Sequence, residues 1–136
     1  MIPDIAAALA ARLGAWADAE GISVAWENVP FTPPANEMYL AVHDMPVTPR
    51  TIDFGLRCRA YSGVYQINVV APAGSGRTSV VALAGRVAEL FPEGLEIAGK
   101  DFICWISSTP GIFRGVPTPV SYSVPVSLNY RADITN

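Results

Sequence analysis

The six residues Gly74-Ser-Gly-Arg-Thr-Ser79 come nearest in this chain to a chemical device. They follow an apolar run and open a helical one, and the free backbone N–H groups at a helix start can hold a phosphate. The spacing does not carry that chemistry. A P-loop needs G-x-x-x-x-G-K-[ST], and this segment lacks both the spacing and the lysine. The dinucleotide fingerprint G-x-G-x-x-G fails because Ser79 stands at the third glycine position. Glycine is equally expected where a strand turns tightly into a helix, with Thr78 or Ser75 as the cap. The turn is read as a packing unit.

The other reactive groups are sparse. His43 is the single histidine, so any His-based metal cluster or catalytic dyad rests on it alone. Cys58 and Cys104 have no close partner at zinc spacing. Paired with His43, either could in principle serve as a nucleophile, but a thiolate needs a polar, partly exposed setting. Both sit among apolar neighbours and are read as buried reduced thiols, with His43 ending a strand. Glu27, between Trp26 and Asn28, is placed as a candidate acid would be, and is read as a turn residue bonding local backbone. Trp16, Trp26 and Trp105 each fall on an apolar stripe and are assigned to the core. No catalytic constellation emerges, so neither an enzyme, a cofactor nor a metal is expected.

Bulk properties narrow the class further. A chain of 136 residues fits one domain, residues 1–136, with a real hydrophobic core. It is 51% hydrophobic and only 15% charged, below the roughly 25% charged content usual in soluble domains. Such a chain must hide much of its surface, and partner proteins can cover part of it. The longest apolar runs fall short of the ~18 residues that a membrane span requires. Met1-Ile-Pro-Asp-Ile5 has no basic leader, so no signal peptide is expected. The net charge of −3 and the dispersed basic residues argue against nucleic acid. Eight of the nine basic residues are Arg, with Lys100 the exception. Arginine suits protein interfaces, and a coding bias toward it gives the same count.

The elements that would position these residues follow from periodicity. Ile5, Leu9, Leu13 and Trp16 predict a first helix over residues 4–20, started by Pro3 and Asp4 and stopped by Gly21. Ile22, Val24 and Trp26 alternate as a short strand, and Met38, Leu40 and Val42 as a second, over residues 37–43. Residues 44–51, with Pro46 and Pro49, read as a loop. Ile52, Phe54, Leu56 and Cys58 share a strand face and predict a long hairpin with Val64–Val70, turning near Tyr61-Ser-Gly63. Val80, Leu83, Ala84, Val87, Leu90 and Phe91 stripe a second helix that Pro92 stops. Phe102-Ile-Cys-Trp-Ile106 is apolar on both faces: a central strand covered twice, or a strand whose outer face meets another subunit. Residues 109–119 read as a Gly/Pro loop carrying Ile112 and Phe113. Val120 to Tyr130 alternates cleanly as the last strand, with Pro125 implying an edge or a bulge. The tail 131–136 reads as loose. The order predicts an α+β fold, one largely antiparallel or mixed β-sheet with two helices packed on it.

Trp26-Glu-Asn-Val-Pro-Phe-Thr-Pro-Pro34, Met38-Tyr-Leu40, Gly63-Val-Tyr-Gln-Ile-Asn-Val69, Pro72, Gly76 and the helix closing on Phe91-Pro92 resemble a family of small phage and prophage proteins. These are related to the tail terminator of long, non-contractile phage tails. The resemblance covers nearly the whole chain, without a catalytic signature. It implies an α+β subunit forming a six-fold ring on the head-proximal end of the tail tube. The ring would stop tube polymerisation and offer the surface to which the filled head attaches. The implied partners are copies of the chain, the tail tube protein and a head-completion or connector protein; the isolated protein could be a monomer. The implied location is the virion tail, assembled in the host bacterial cytoplasm. No family active site carries over.

A ring uses a head-to-tail contact between two different patches of each subunit. Ile112 and Phe113, and the loop containing Pro46 and Val47, are candidates for those patches, with Arg57, Arg59 and Arg114 supplying charge-paired contacts. Two alternatives compete: another virion connector such as a neck or minor tail protein, and a small-ligand or nucleotide-binding domain using Gly74–Ser79. Imaging of labelled particles separates the first, and nucleotide titration the second.

Overall fold

The computed structural model describes residues 2–52, 55 and 57–135. Helix α1 spans Ile5–Glu20. The Asp4 carboxylate accepts from the Ala7 N–H at 3.1 Å and so caps its start. Gly21 closes it in the left-handed region (φ 71°), donating its N–H to Ala17 and Asp18. Helix α2 spans Thr78–Leu90 and buries Val80, Leu83, Ala84 and Val87. Arg12 donates from Nε to the Leu90 carbonyl at 2.8 Å, using an α1 side chain to satisfy an α2 C-terminal acceptor. Arg86 of α2 returns to Glu20 at 2.8 Å and lies 5.4 Å from the Trp16 ring centroid. The two helices are thus tied to each other as well as to the sheet.

The strands are β1 (Ser23–Ala25), β2 (Tyr39–Pro46), β3 (Arg50–Thr51), β4 (Cys58–Pro72), β5 (Glu96–Gly99), β6 (Phe102–Ile106), β7 (Gly111–Ile112), β8 (Val116–Pro117) and β9 (Ser121–Thr135). They form one sheet in the order β1-β2-β4-β9-β6-β5, with β3 against β4 and both β7 and β8 against β9. Among the described residues, only β1 and β2 run parallel. The centre is the pair β4 and β9, antiparallel from Cys58 opposite Thr135 to Pro72 opposite Ser121. Fifteen residues per strand make a ribbon roughly 50 Å long.

Alternation assigns the two faces. Val69 faces Val124, Ile67 faces Val126 and Tyr65 faces Leu128, and all six are buried. Leu40 and Val42 continue this layer on β2, and Phe102, Cys104 and Ile106 on β6. Helix α2 lies over β4 and β9, while α1 touches both β1 and β5, the two edges of the sheet. The sheet therefore curls around α1. The small Ala6, Ala8 and Ala17 on that helix allow the close approach. The architecture is α+β with a large mixed sheet, as the periodicity implied.

Several local expectations differ. No turn occurs at Tyr61–Gly63, where β4 runs unbroken. Gly63 has no positive φ; it is required because the Tyr130 ring lies across it from the neighbouring strand. Asp53, Phe54 and Leu56, in the expected first arm of the hairpin, lie outside the described residues. Residues 44–46 extend β2 and 50–51 form β3, leaving a shorter loop than expected. The tail expected to be loose is the last third of β9, since Arg131 to Thr135 pair with Ser62 to Cys58. Asn136 lies outside the described residues. Strand β5 had no clear alternation to announce it.

Pro125 sits on a central strand, neither at an edge nor in a bulge. Its carbonyl accepts from the Phe113 N–H at 2.9 Å. In an antiparallel strand a residue's N–H and C=O point the same way. The missing donor therefore faces the short β7 side, and the ladder to β4 loses nothing. A Cβ at Gly63 would overlap the Tyr130 phenol and approach the Met45 carbonyl oxygen to 2.8 Å. Gly63→Ala should cost about 1–3 kcal/mol of unfolding free energy, read from the urea midpoint at unchanged m-value.

Candidate interaction surfaces

The turn before α2 is occupied by its own hydrogen bonds. Gly74 and Gly76 take positive φ (80° and 87°), and the Ser75 hydroxyl donates to the Pro72 carbonyl at 2.7 Å. The residue preceding α2 is Arg77, which makes no side-chain cap. Neither Ser75 nor Thr78 caps the helix, contrary to the sequence reading, because the Ser75 hydroxyl is turned back to the strand end.

His43 lies in mid-strand on β2, exposed and opposite Gln66, and does not end the strand. Cys58 is far along β4 from that pair, and Cys104 lies on the inner face of β6, so the topology does not assemble a Cys–His pair. Cys104 is fully buried, burial pushes its thiol pKa up, and its Sγ lies 3.4 Å from the Ile97 carbonyl oxygen. Cys58 is half-buried, and neither cysteine forms a disulfide. Among the described residues no group of three or more His, Cys, Asp or Glu could hold a metal ion.

Trp16 and Trp26 pack against the core, but Trp105 does not. It stands on the outer face of the sheet, 5.7 Å from the Arg131 guanidinium. Beside it Ile103 is 54% exposed, so β6 is covered on its inner face only. Glu27 bonds no local backbone. Its Oε1 accepts from the Asp44 N–H at 2.9 Å, clamping the edge of β2 from 17 residues away.

The residues expected at an interface fall into two groups at different levels of the β4/β9 ribbon. The first is Ile112, Phe113 and Arg114. Phe113 is 58% exposed although its backbone is fixed by the bond to Pro125, and Val116 and Val120 on the following chain are also exposed. Arg114 is exposed and makes no ion pair among the described residues. The second group holds Pro46 and Val47, with Arg57 and Arg59 at the start of β4. Val47 is 55% exposed, and its N–H donates to the Ser62 carbonyl at 2.9 Å. Ser62 pairs with Arg131, six residues along β9 from Pro125, which sets the groups roughly 20 Å apart along the ribbon. Arg57 and Arg59 are engaged in interactions within the chain.

The second group borders a cleft of about 530 Å³ walled by Pro46, Val47 and Tyr61, with Asp4 and Asp44 as its acidic groups and Thr48, Ser62 and Tyr130 also lining it. The Tyr130 hydroxyl donates to Asp44 Oδ1 at 2.7 Å. Burial raises the Asp44 pKa, the Tyr130 bond works against that rise, and Glu27 and Asp4 add to it. Burial, then the Asp44 bond, also raises the Tyr130 pKa. Sequence reading missed this pair, although parity pointed to it: Asp44 continues the inward positions Leu40 and Val42.

A carboxyl whose pKa is higher in the folded chain binds more protons folded than unfolded. Its contribution is most favourable below the ordinary value of 3.8 and is lost as pH rises through the raised value. Asp44→Asn should remove that loss. Urea unfolding across pH should show the variant gaining on the parent chain between pH 3.8 and neutrality.

A solved structure whose title states no function is 33% identical to this chain, with a TM-score of 0.79, covering 94% of this chain and 92% of its own. A chain in a structure titled as the virion of a native gene transfer agent particle shares the fold at 18% identity and a TM-score of 0.63. That match covers 96% of this chain and 93% of the other. No match was found among curated proteins. The family profile described as phage tail terminator protein matches residues 4–130. The chain belongs to the phage tail terminator protein family, and its role is that of a structural component of a phage tail.

Proposed function

We propose that this chain caps the tail tube as a ring of identical subunits, six-fold as the family resemblance implies. The ring stops tube polymerisation and forms the surface to which the head-completion or connector protein attaches. The observation that carries this reading is the placing of two separate exposed apolar surfaces, around Phe113 and around Val47, at different levels of one ribbon. Two different patches per subunit suit a head-to-tail contact, which closes into a ring when the rotation between neighbours allows it. The half-covered strand β6 and the low charge content support burial of further surface against the tail tube protein. The subunit joins the virion tail during assembly in the host bacterial cytoplasm, and before that it can exist as a monomer.

Replacing Ile112 and Phe113 together by Ser should change stability by no more than about 1 kcal/mol, because both side chains are exposed. The same variant should lose most ring formation on tail tubes, scored by negative-stain imaging as uncapped or overlong tubes. Tubes capped as with the parent protein would reject the reading.

A further inference from the structure

We propose that the Phe113–Arg114 tip of one copy seats in the cleft beneath Tyr130 and Asp44 of the next copy, so that these two surfaces form the subunit contact of the ring. This pairing rests on the ring reading above and adds which surface meets which.

Charge and shape complement each other. The cleft has walls at Pro46, Val47 and Tyr61; Thr48, Ser62 and the Tyr130 hydroxyl are polar but neutral, and its charged groups are the Asp4 and Asp44 carboxyls. No Lys or Arg lines it among the described residues. The tip presents the reverse: exposed Ile112 and Phe113 followed directly by an exposed guanidinium without an ion pair among the described residues. Aromatic and Arg side chains are the groups that anchor protein interfaces. The bond from the Phe113 N–H to Pro125 holds the tip before contact, which reduces the ordering cost of docking. An arriving guanidinium would also relieve a carboxyl that burial and two neighbouring acids already disfavour as an anion.

One copy cannot make this contact with itself. Phe113 bonds to β9 at Pro125, whereas Tyr130 lies five residues further along, a rise of about 17 Å. Asp44 sits on β2, across β9 and β4 from β7, which adds three strand spacings, about 14 Å. The tip and the cleft are therefore different patches on opposite flanks, as a head-to-tail contact requires.

The test places p-benzoylphenylalanine in place of Phe113 in an equal mixture of light- and heavy-nitrogen protein, assembled on tail tubes and irradiated. Crosslinked peptides joining position 113 to Asp44–Pro49 or Ile2–Ala6 of a differently labelled copy are expected. Crosslinks confined to one copy, to any other stretch of a second copy or to other tail proteins alone would overturn the pairing, as would none at all. If imaging still shows capped tubes in those cases, the ring reading stands and only the pairing falls. A charge swap gives a second arm. Arg114→Glu and Val47→Arg should each weaken assembly at least tenfold, while the double variant recovers most of it. Additive losses in the double variant would count against the contact.

Discussion

The antiparallel pairing of Cys58–Pro72 with Ser121–Thr135 governs the rest of the molecule. Because the register is continuous over fifteen residue pairs, a single parity decides every side chain on both strands. Sliding it by one residue would exchange Val124, Val126 and Leu128 for Ser123, Pro125 and Ser127 under the helices, so the hydrophobic pattern fixes it strongly. Strands β2 and β6 inherit their faces from this pair, and the curl that brings β1 and β5 to α1 is centred on it. The two exposed surfaces also take their separation from it, since each is anchored by one backbone bond at a different level of the ribbon, roughly 20 Å apart.

Two residues that usually interrupt a sheet are absorbed without breaking this pairing. Gly63 supplies the space that the Tyr130 ring occupies, and that ring carries the hydroxyl held by Asp44. Pro125 faces its missing donor toward β7, where the next short strand ends. The same arrangement therefore shapes both candidate surfaces: the glycine admits the tyrosine at the cleft, and the proline carbonyl holds the tip.

Much of this was legible from residue order. Ile5, Leu9 and Leu13, flanked by Asp4 and Gly21, defined α1 almost to the residue, and Val120 to Tyr130 announced β9 because its alternation has no gap. Gly63 was misread because a glycine beside serine signals a turn as readily as a close approach, and only the partner strand distinguishes them. The stretch from Arg131 to Thr135 looked loose because its outward positions, Arg131 and Asp133, are charged, while its inward ones, Ala132 and Ile134, are few. Pairing with β4 decided it. Trp105 looked like core because an apolar strand gives no sign of which face the helices cover. Ile112, Phe113, Pro46 and Val47 were identified as surface, but their opposite placement depended on register, which no local pattern contains.

The long ribbon also shapes how the chain is made. Pro72 meets Ser121 and Cys58 meets Thr135, so each pair in the ladder closes a loop of about fifty residues or more. Such non-local pairing folds slowly compared with helical contacts. During translation β4 emerges long before β9, and even when paired with β2 it leaves an apolar edge open until β9 arrives. The sheet can close only once β9 has followed, so a nascent chain that still lacks β9 would be a substrate for chaperones and proteases rather than a competitor for the growing particle.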